Sequence, residues 1–323
     1  MKQRIRELLF MARDFWGVST GRDYFHKPQP LGAYFRDKRC YYNDMTGKAF
    51  WNGTYVDGVP ALYFPAWEEF MTLPVMVLQY GLGCMDRFFL EGDPAYLNKV
   101  SRVVEWMRRT ILPDGSFDSM WNKGHKGVQF HSGNSCMVQG EALSFSLRVI
   151  QNQLVAEPAL SNLAGRVPDM FSSMARSLDE GGTTLLDGDD LYLCEYCRTD
   201  NYVVLNGWIF AIFGLIDYVE YCQNSQANNF LQATLTTLAK MLSTYMLPNG
   251  WSYYDNKGRI ASPFYHQLHI SLLEALYRLT DKKQFYTTLM ALRAANTLPN
   301  KARYTVVKVM DRITDKHVYA TQG

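Results

Sequence analysis

Helical segments in this chain alternate between two kinds, and that alternation restricts its fold more than any other feature. Val100, Val103, Val104, Met107 and Ile111 recur at three-and-four spacing, the mark of an amphipathic helix. Phe230, Leu231, Leu235, Leu238, Leu242 and Tyr245 repeat the pattern, as do Leu268, Leu272, Leu273, Leu276 and Leu279. Between such stripes stand segments apolar almost all round, such as Leu205 to Ile216. A helix apolar on every side has to be covered on every side. Inner helices of that kind, each backed by an amphipathic outer one, build an (α/α) toroid or barrel of helical hairpins. The sequence is therefore expected to be mainly α, with 47% apolar residues over 323 positions to fill the core. Pro- or Gly-rich linkers are absent, so a single domain over 1–323 is expected.

The connections carry a recurring phrase. Leu112-Pro113-Asp114-Gly115-Ser116-Phe117 is echoed by Leu247-Pro248-Asn249-Gly250-Trp251-Ser252, with Leu186-Asp187-Gly188-Asp189 as a weaker third copy. Each reads as a helix stop, a tight turn on a Gly at positive φ, then an extended segment. Residues 17–66 are rich in Gly, Tyr, Phe, Asp and Lys without helical period, which predicts an irregular, β-containing N-terminal arm. The β-branched stretch Tyr304 to Tyr319 predicts a short strand or hairpin.

A net charge of +2 is too small to announce nucleic-acid binding. Residues 1–60 lean basic, with ten Lys or Arg against six Asp or Glu, which would suit an anionic ligand or simply a solvated surface. Met1 to Phe15 lacks the unbroken apolar core of a secretory signal, and Ile5, Leu8, Leu9 and Phe15 form one face of an expected helix. Packing of this helix on the core is the simplest reading. The apolar run Val203 to Ile216 is too short to span a bilayer, so a reducing cytoplasm is the expected compartment. Six cysteines form no disulfide framework, and the lone Cys194-x-x-Cys197 pair reads as buried free thiols. There is no glycine-rich phosphate loop or H-E-x-x-H pattern. Asp187, Asp189 and Asp190 lack the terminal Glu of a calcium loop, so no metal or cofactor is expected.

Polar groups interrupt apolar segments at a few places: Gln139-Gly140-Glu141, Glu195-Tyr196, Asn206, Tyr253-Tyr254-Asp255 and Tyr265-His266-Gln267-Leu268-His269. In a toroid, the turns and N-terminal ends of inner helices crowd around one end of the cavity, where such residues would converge. A structural hydrogen-bonding role is the simpler reading for each alone; their joint occurrence points to a site. With 21 Tyr, the chain also has the aromatic faces that stack on sugar rings.

The ordered set resembles the D-glucuronyl C5-epimerase family. Glu195-Tyr196, eight residues, then Leu205-Asn206-Gly207 is similar to its E-Y and L-N-G pattern, and Leu215-Ile216-Asp217-Tyr218 to its G-L-Y-D. Ser135 to Ala142 is similar to its S-A-M-A-Q-G-Q-A, with Glu141 where the family has Gln. Tyr254-Asp255 and Tyr265-His266 with His269 match its Y-D and Y-H-x-x-H, and Gly58-Val59-Pro60 and Gln79-Tyr80-Gly81-Leu82 match G-V-P and Q-Y-G-L. The likeness runs from about 58 to 285. A β-rich domain that animal members carry after Q-Y-G-L is missing, so the chain resembles a compact, bacterial-type version. Two further departures are Lys257 where those members have Arg, and Pro263-Phe264 before the Y-H motif.

The resemblance implies conversion of D-glucuronate to L-iduronate within a heparosan-type polysaccharide and a homodimeric habit. The basic-leaning N-terminal helix could then dock peripherally on membrane-bound capsule-synthesis machinery, with core packing the simpler reading. Carried over by motif, Glu195, Tyr196, Tyr254 and Tyr265 are the catalytic candidates, and Asn206 contacts substrate. Arg198, Lys257, Arg259, His266, His269, Gln139, Glu141, Gln79 and Tyr80 are candidates for binding it. The chemistry asks for such groups. Removing the C5 proton beside a carboxylate builds charge that needs stabilising, and inversion needs acid/base groups on both ring faces. Glu195 and Tyr265 are assigned opposite faces, with Tyr196 and Tyr254 orienting or relaying. One of Lys257, Arg259, Arg198 or His266 would neutralise the carboxylate. A polysaccharide lyase, an inverting glycoside hydrolase using Glu141, Glu195 or Asp255, and a non-catalytic glycan-binding protein remain as alternatives.

Overall fold

The computed structural model describes residues 24–64, 67–120 and 127–314. The helix expected over Met1 to Phe15 lies outside them. Four helical hairpins make up most of the described chain. Their first members are α1 (Pro74–Glu91), α3 (Cys136–Gln151), α5 (Leu205–Cys222) and α7 (Pro263–Thr280). The second members are α2 (Ala95–Thr110), α4 (Ala159–Ala175), α6 (Ser225–Met241) and α8 (Lys283–Ala295). The first members pack on one another in chain order, α1 on α3, α3 on α5 and α5 on α7, and each is backed by its own partner. This is the inner-and-outer layering of an (α/α) toroid.

Burial follows the two sequence patterns. Every residue of α5 from Leu205 to Leu215 is buried, while α2 buries only the stripe Tyr96, Val100, Val103, Val104, Trp106 and Met107. Leu231, Leu235 and Leu238 face inward from α6. The Leu268 to Leu279 stripe, read as an amphipathic outer helix, belongs to inner helix α7. Its polar side is buried as well, because His266, His269 and Ser271 find hydrogen bonds inside the protein. Helices α3 and α5 touch backbone to backbone: a Cβ on Gly140 would stand 2.5 Å from Ala211 Cα. Only glycine permits that approach.

Starts and stops are locally encoded. Ser135 and Ser262 cap α3 and α7 through their hydroxyls, with Pro263 in the first turn of α7, and Asn224 caps α6. Gly115 and Gly250 take φ of +85° and +83° at the two repeated turns. The third copy is different: Gly188 sits at the tip of a hairpin of β5 (Thr184–Asp187) and β6 (Asp190–Leu193), after a strand rather than a helix. The C-terminal expectation is corrected too, since α9 (Leu298–Thr314) is helical. Its Thr305-Val306-Val307 favours extended backbone, but Tyr304 and Val307, one turn apart, pack with Trp251. That packing outweighs weak β propensity.

The arm carries two antiparallel hairpins, β1 (Tyr55–Val56) with β2 (Val59–Pro60) and β3 (Leu62–Phe64) with β4 (Glu69–Met71). Before them, residues 24–50 lie over the inner helices. Asp86 of α1 accepts from the backbone of Tyr41 (2.8 Å) and Met45 (3.4 Å). Tyr42 donates to Asp217 of α5 (2.7 Å), which is held by Ser144 and Arg148 of α3 (2.5 Å each). All six cysteines are free thiols, five of them buried. No described helix is long and apolar enough to cross a membrane, and no group of three or more His, Cys, Asp or Glu among the described residues could hold a metal ion.

Candidate active site

The inner helices run in the same direction, and their N-terminal ends hold most of the polar residues singled out above. Glu195 and Tyr196 lie in the turn between β6 and α5. Gly207, in the first turn of α5, supports them. A side chain there would overlap the Glu195 carboxylate and stand 2.7 Å from its Cβ. Tyr254 comes from the loop after the second repeated turn. That loop is laced to the strand entering α5 by Leu205 N–H to Tyr254 O (3.1 Å) and Asn256 N–H to Val203 O (3.0 Å). Asp255 organises the loop: it accepts the backbone N–H of Lys257 and Arg259 and the hydroxyl of Tyr202 (2.7 Å). Tyr265 stands in the first turn of α7, on its Ser262 cap.

These elements bring one carboxyl and three phenols together. Tyr254 and Tyr265 meet edge to face with ring centres 4.7 Å apart. Tyr254 hydrogen-bonds Tyr196, and Tyr196 hydrogen-bonds Glu195, a line of O–H groups ending on a buried carboxyl. Burial pushes Glu195 up to about 8, against the pull of Tyr196. Burial, then the neighbouring carboxyl and phenols, drive Tyr196 and Tyr254 well above the ordinary phenol range, so both are hydroxyl donors near neutrality. Glu195 Oε2 and Asn206 Oδ1 are buried and have no hydrogen-bond partner among the described residues. An unpartnered buried acceptor is costly in a purely structural role.

The remaining candidates are more dispersed. Arg198 pairs with Asp200 (2.6 Å), lies over the Tyr202 ring, and lines an open cleft of about 270 Å³ with Gly127, Val128, Gln129 and Thr199. Lys257 is exposed, and Arg259, half exposed, has its Nε 3.6 Å from Asp255. Both ring nitrogens of His266 are engaged, by Ser252 and by the Leu292 carbonyl, and its ring stacks 3.8 Å from Trp251. Burial lowers it to about 4, leaving it neutral and without a nitrogen for substrate. His269 holds Ser252 Oγ through Nδ1, while its Nε2 is buried without a partner; burial lowers it to about 3. Gln139 points the other way, to Asn134, Ser173 and the Gly115 carbonyl beside α4. Tyr80 is buried against Tyr55. Gln79 donates to Glu141 (2.8 Å) deeper along the inner helices.

Two neighbours of the phenols are absent from the sequence-derived set. His26, from the arm, meets Tyr265 edge-on at 5.7 Å and Phe264 at 4.9 Å. Tyr202 meets Tyr196 edge-on at 5.7 Å. The Asn201-Tyr202 pair within the E-Y to L-N-G interval was a signal for the second; nothing local marks His26.

Fold and site together define a helical-toroid protein with a buried carboxyl–phenol cluster at the N-terminal ends of its inner helices. The sequence model described as "D-glucuronyl C5-epimerase C-terminus" matches residues 114–294, more than half of the chain, and the chain belongs to that family. No curated protein matches the sequence. Among solved structures it is similar to an unsaturated glucuronyl hydrolase from Bacillus sp. GL1, responsible for glycosaminoglycan degradation, at 13% identity and a TM-score of 0.42. A UGL variant recorded with dGlcA-Glc-Rha-Glc gives 12% identity and the same TM-score. Each likeness covers 77% of this chain and spans 64% of the other's length.

Proposed function

We propose that this protein inverts C5 of D-glucuronate to L-iduronate within a heparosan-type polysaccharide. The observation that carries the reading is the Tyr254–Tyr196–Glu195 line facing Tyr265 at one end of the toroid. In this reading, Glu195 as carboxylate takes the C5 proton, and the electron pair moves into the uronate carboxyl group. Phenolic O–H groups of Tyr196 and Tyr254 stabilise the charge that develops. Tyr265 gives its proton to C5 from the opposite face, closing the inverted centre. Water then reprotonates Tyr265 and takes the proton from Glu195, so solvent hydrogen enters C5 at each turnover. Glu195 fits this role because a general base works best with a pKa near the working pH.

Asn206, with its free Oδ1, would hold a sugar hydroxyl. Arg198, which lines a cleft beside the Glu195-Tyr196 turn and pairs with Asp200, would meet the uronate or its neighbour along the polymer. The test is incubation with heparosan in D2O, followed by proton NMR. Iduronate signals and deuterium at C5 are expected. Growth of the ultraviolet absorbance of an unsaturated uronate would make the protein a lyase, and reducing-end release a hydrolase. Polymer binding without deuterium uptake would leave a glycan-binding protein.

A further inference from the structure

A second buried carboxyl lies beneath the first. Glu141 is the sixth residue of α3 and fully buried; Gln79, the sixth residue of α1, donates to its Oε1, while Oε2 has no partner. Its place relative to Glu195 follows from the helices. Cys136, the first residue of α3, reaches the carbonyl of Gly207, the residue against which Glu195 rests. Glu141 is five residues further along α3, roughly 7.5 Å deeper at the helical rise. The surrounding groups come from three directions. The arm supplies Lys48, which donates to the carbonyls of Tyr24 and Phe25, together with the Tyr24 and Tyr41 phenols; α1 supplies Gln79; and the turn before α5 supplies Glu195. Among the described residues, neither Glu141 nor Glu195 has an ion-pair partner at salt-bridge distance.

We propose that Glu141 is a positioning residue for Glu195: the two buried carboxyls carry one negative charge between them in the working protein, and Glu141 is the member that stays neutral. This rests on the C5-epimerase reading above. The electrostatics agree. Burial, with the Glu195 charge adding to it, raises Glu141 to about 8 against the pull of Gln79 and Lys48, and burial raises Glu195 to about 8 as well; Glu141, the deeper of the two along the inner helices, is the one assigned the neutral state. A uronate adds a third carboxylate at the same end. With Glu141 neutral, the substrate meets one charge; with Glu141 ionised it meets two, and both binding and charge build-up at C5 are opposed. The pair titrates as a unit, and only its singly ionised form is active.

The experiment is the pH profile of deuterium incorporation into heparosan, between about pH 6 and 10, for the wild type, Glu141→Gln and Gln79→Leu. The wild type is expected to give a bell peaking near pH 8, falling about tenfold per pH unit beyond its alkaline limb. Glu141→Gln is expected to keep the acid limb and lose the alkaline one, holding a plateau with its maximum within a few-fold of the wild type. Gln79→Leu removes a donor that favours the Glu141 carboxylate, so its alkaline limb is expected to move up in pH. A Glu141→Gln profile that keeps the wild-type alkaline limb overturns the proposal. So does a folded Glu141→Gln protein inactive at every pH. Carboxyl 13C NMR of the free protein reads the same coupling without substrate: the Glu195 titration is expected in two steps in the wild type and one in Glu141→Gln. Failure of every variant to exchange C5 hydrogen, with that two-step titration intact, would refute the epimerase reading and leave the coupled pair standing. A single step in the wild type refutes the pair.

Discussion

Glu195 lies flat against Gly207, its carboxylate occupying the space where a side chain at 207 would begin. The Leu205-Asn206-Gly207 segment thus does two things: it starts α5, and it leaves room beside the first turn for the carboxyl. Gly207→Ala is expected to displace Glu195 while costing the helix nothing in propensity, because Ala is the better helix former. Deuterium exchange should fall by about a hundredfold or more, since a misplaced base loses its near-attack geometry. Circular dichroism should keep its helical signal. Near-full exchange in a folded Gly207→Ala protein would mean that Glu195 is not the base.

The edge-to-face pair Tyr254 and Tyr265 separates two roles by one atom each. Tyr265→Phe keeps the ring contact and deletes the proton donor. Exchange into the polymer is expected to fall by about 10²–10⁴, the usual range for loss of a general acid or base. Tyr254→Phe removes the O–H that bonds Tyr196 and helps carry the developing charge but leaves the C5 proton donor in place, so a smaller loss is expected. Equal losses for the two would reassign the donor.

The arm is held by groups unrelated to the proposed chemistry. Asp86 receives two backbone N–H groups of the arm in a buried site, and burial raises it to about 7. Asp86→Ala strands those donors, which should cost about 1–3 kcal/mol for a buried unsatisfied group. Arg148→Met is expected to be worse, on the order of 3–5 kcal/mol, because Asp217 would keep a buried charge without its partner. Both variants should admit protease to residues 24–50 earlier than the wild type. His26 reaches Tyr265 from that same segment, so arm release is also expected to slow C5 exchange. Unchanged proteolysis in both variants would remove Asp86 and Asp217 as anchors.

The helices were legible in the sequence because periodicity is a direct record of burial: α2 and α5 bury the positions their patterns named, except Ile111, just past the end of α2, and Ile216, which are partly buried. Where burial on the second face is polar, the record misleads. His269 and Ser271 made α7 look amphipathic, although both are buried and hydrogen-bond inside the protein, His269 through Nδ1. In α9, Thr305, Val306, Val307 and Val309 spoke for strand, and the contact that decided otherwise, Tyr304 on Trp251, joins positions far apart in sequence. The site was legible in the same uneven way. Glu195, Tyr196, Tyr254 and Tyr265 could be named from ordered motifs, but not their line of hydrogen bonds, and His26 carries no local mark at all. His266 matched a motif yet serves packing and Ser252, because a motif records that a residue is present and not which way its nitrogens face.

Stability should itself depend on pH with opposite slopes on its two sides. His266 and His269 are held neutral at about 4 and about 3, below their ordinary 6.5. Their folded-state pKa values are depressed, so the unfolded chain binds more protons below pH 6.5. Their contribution is complete above that pH and is lost as pH falls through about 4 to 3. Glu141 and Glu195 at about 8, and Asp86 at about 7, are raised above their ordinary values, so the folded state keeps protons that the unfolded chain releases. Their contribution is complete below about pH 4 and is lost as pH rises through about 7 to 8. Between about pH 4.5 and 6.5 the two histidines offset two of the three carboxyls, so stability falls by only about 1.4 kcal/mol per pH unit there, and the maximum lies at the acid end of that range, near pH 4 to 5. Each uncompensated group then costs about 1.4 kcal/mol per pH unit on its own side. Urea unfolding at pH 4, 5.5, 7 and 8.5 should show that maximum, and Glu141→Gln should flatten the alkaline slope without touching the acid one. A wild-type stability that climbs steadily to pH 8.5 would mean that these carboxyls are already ionised in the folded protein.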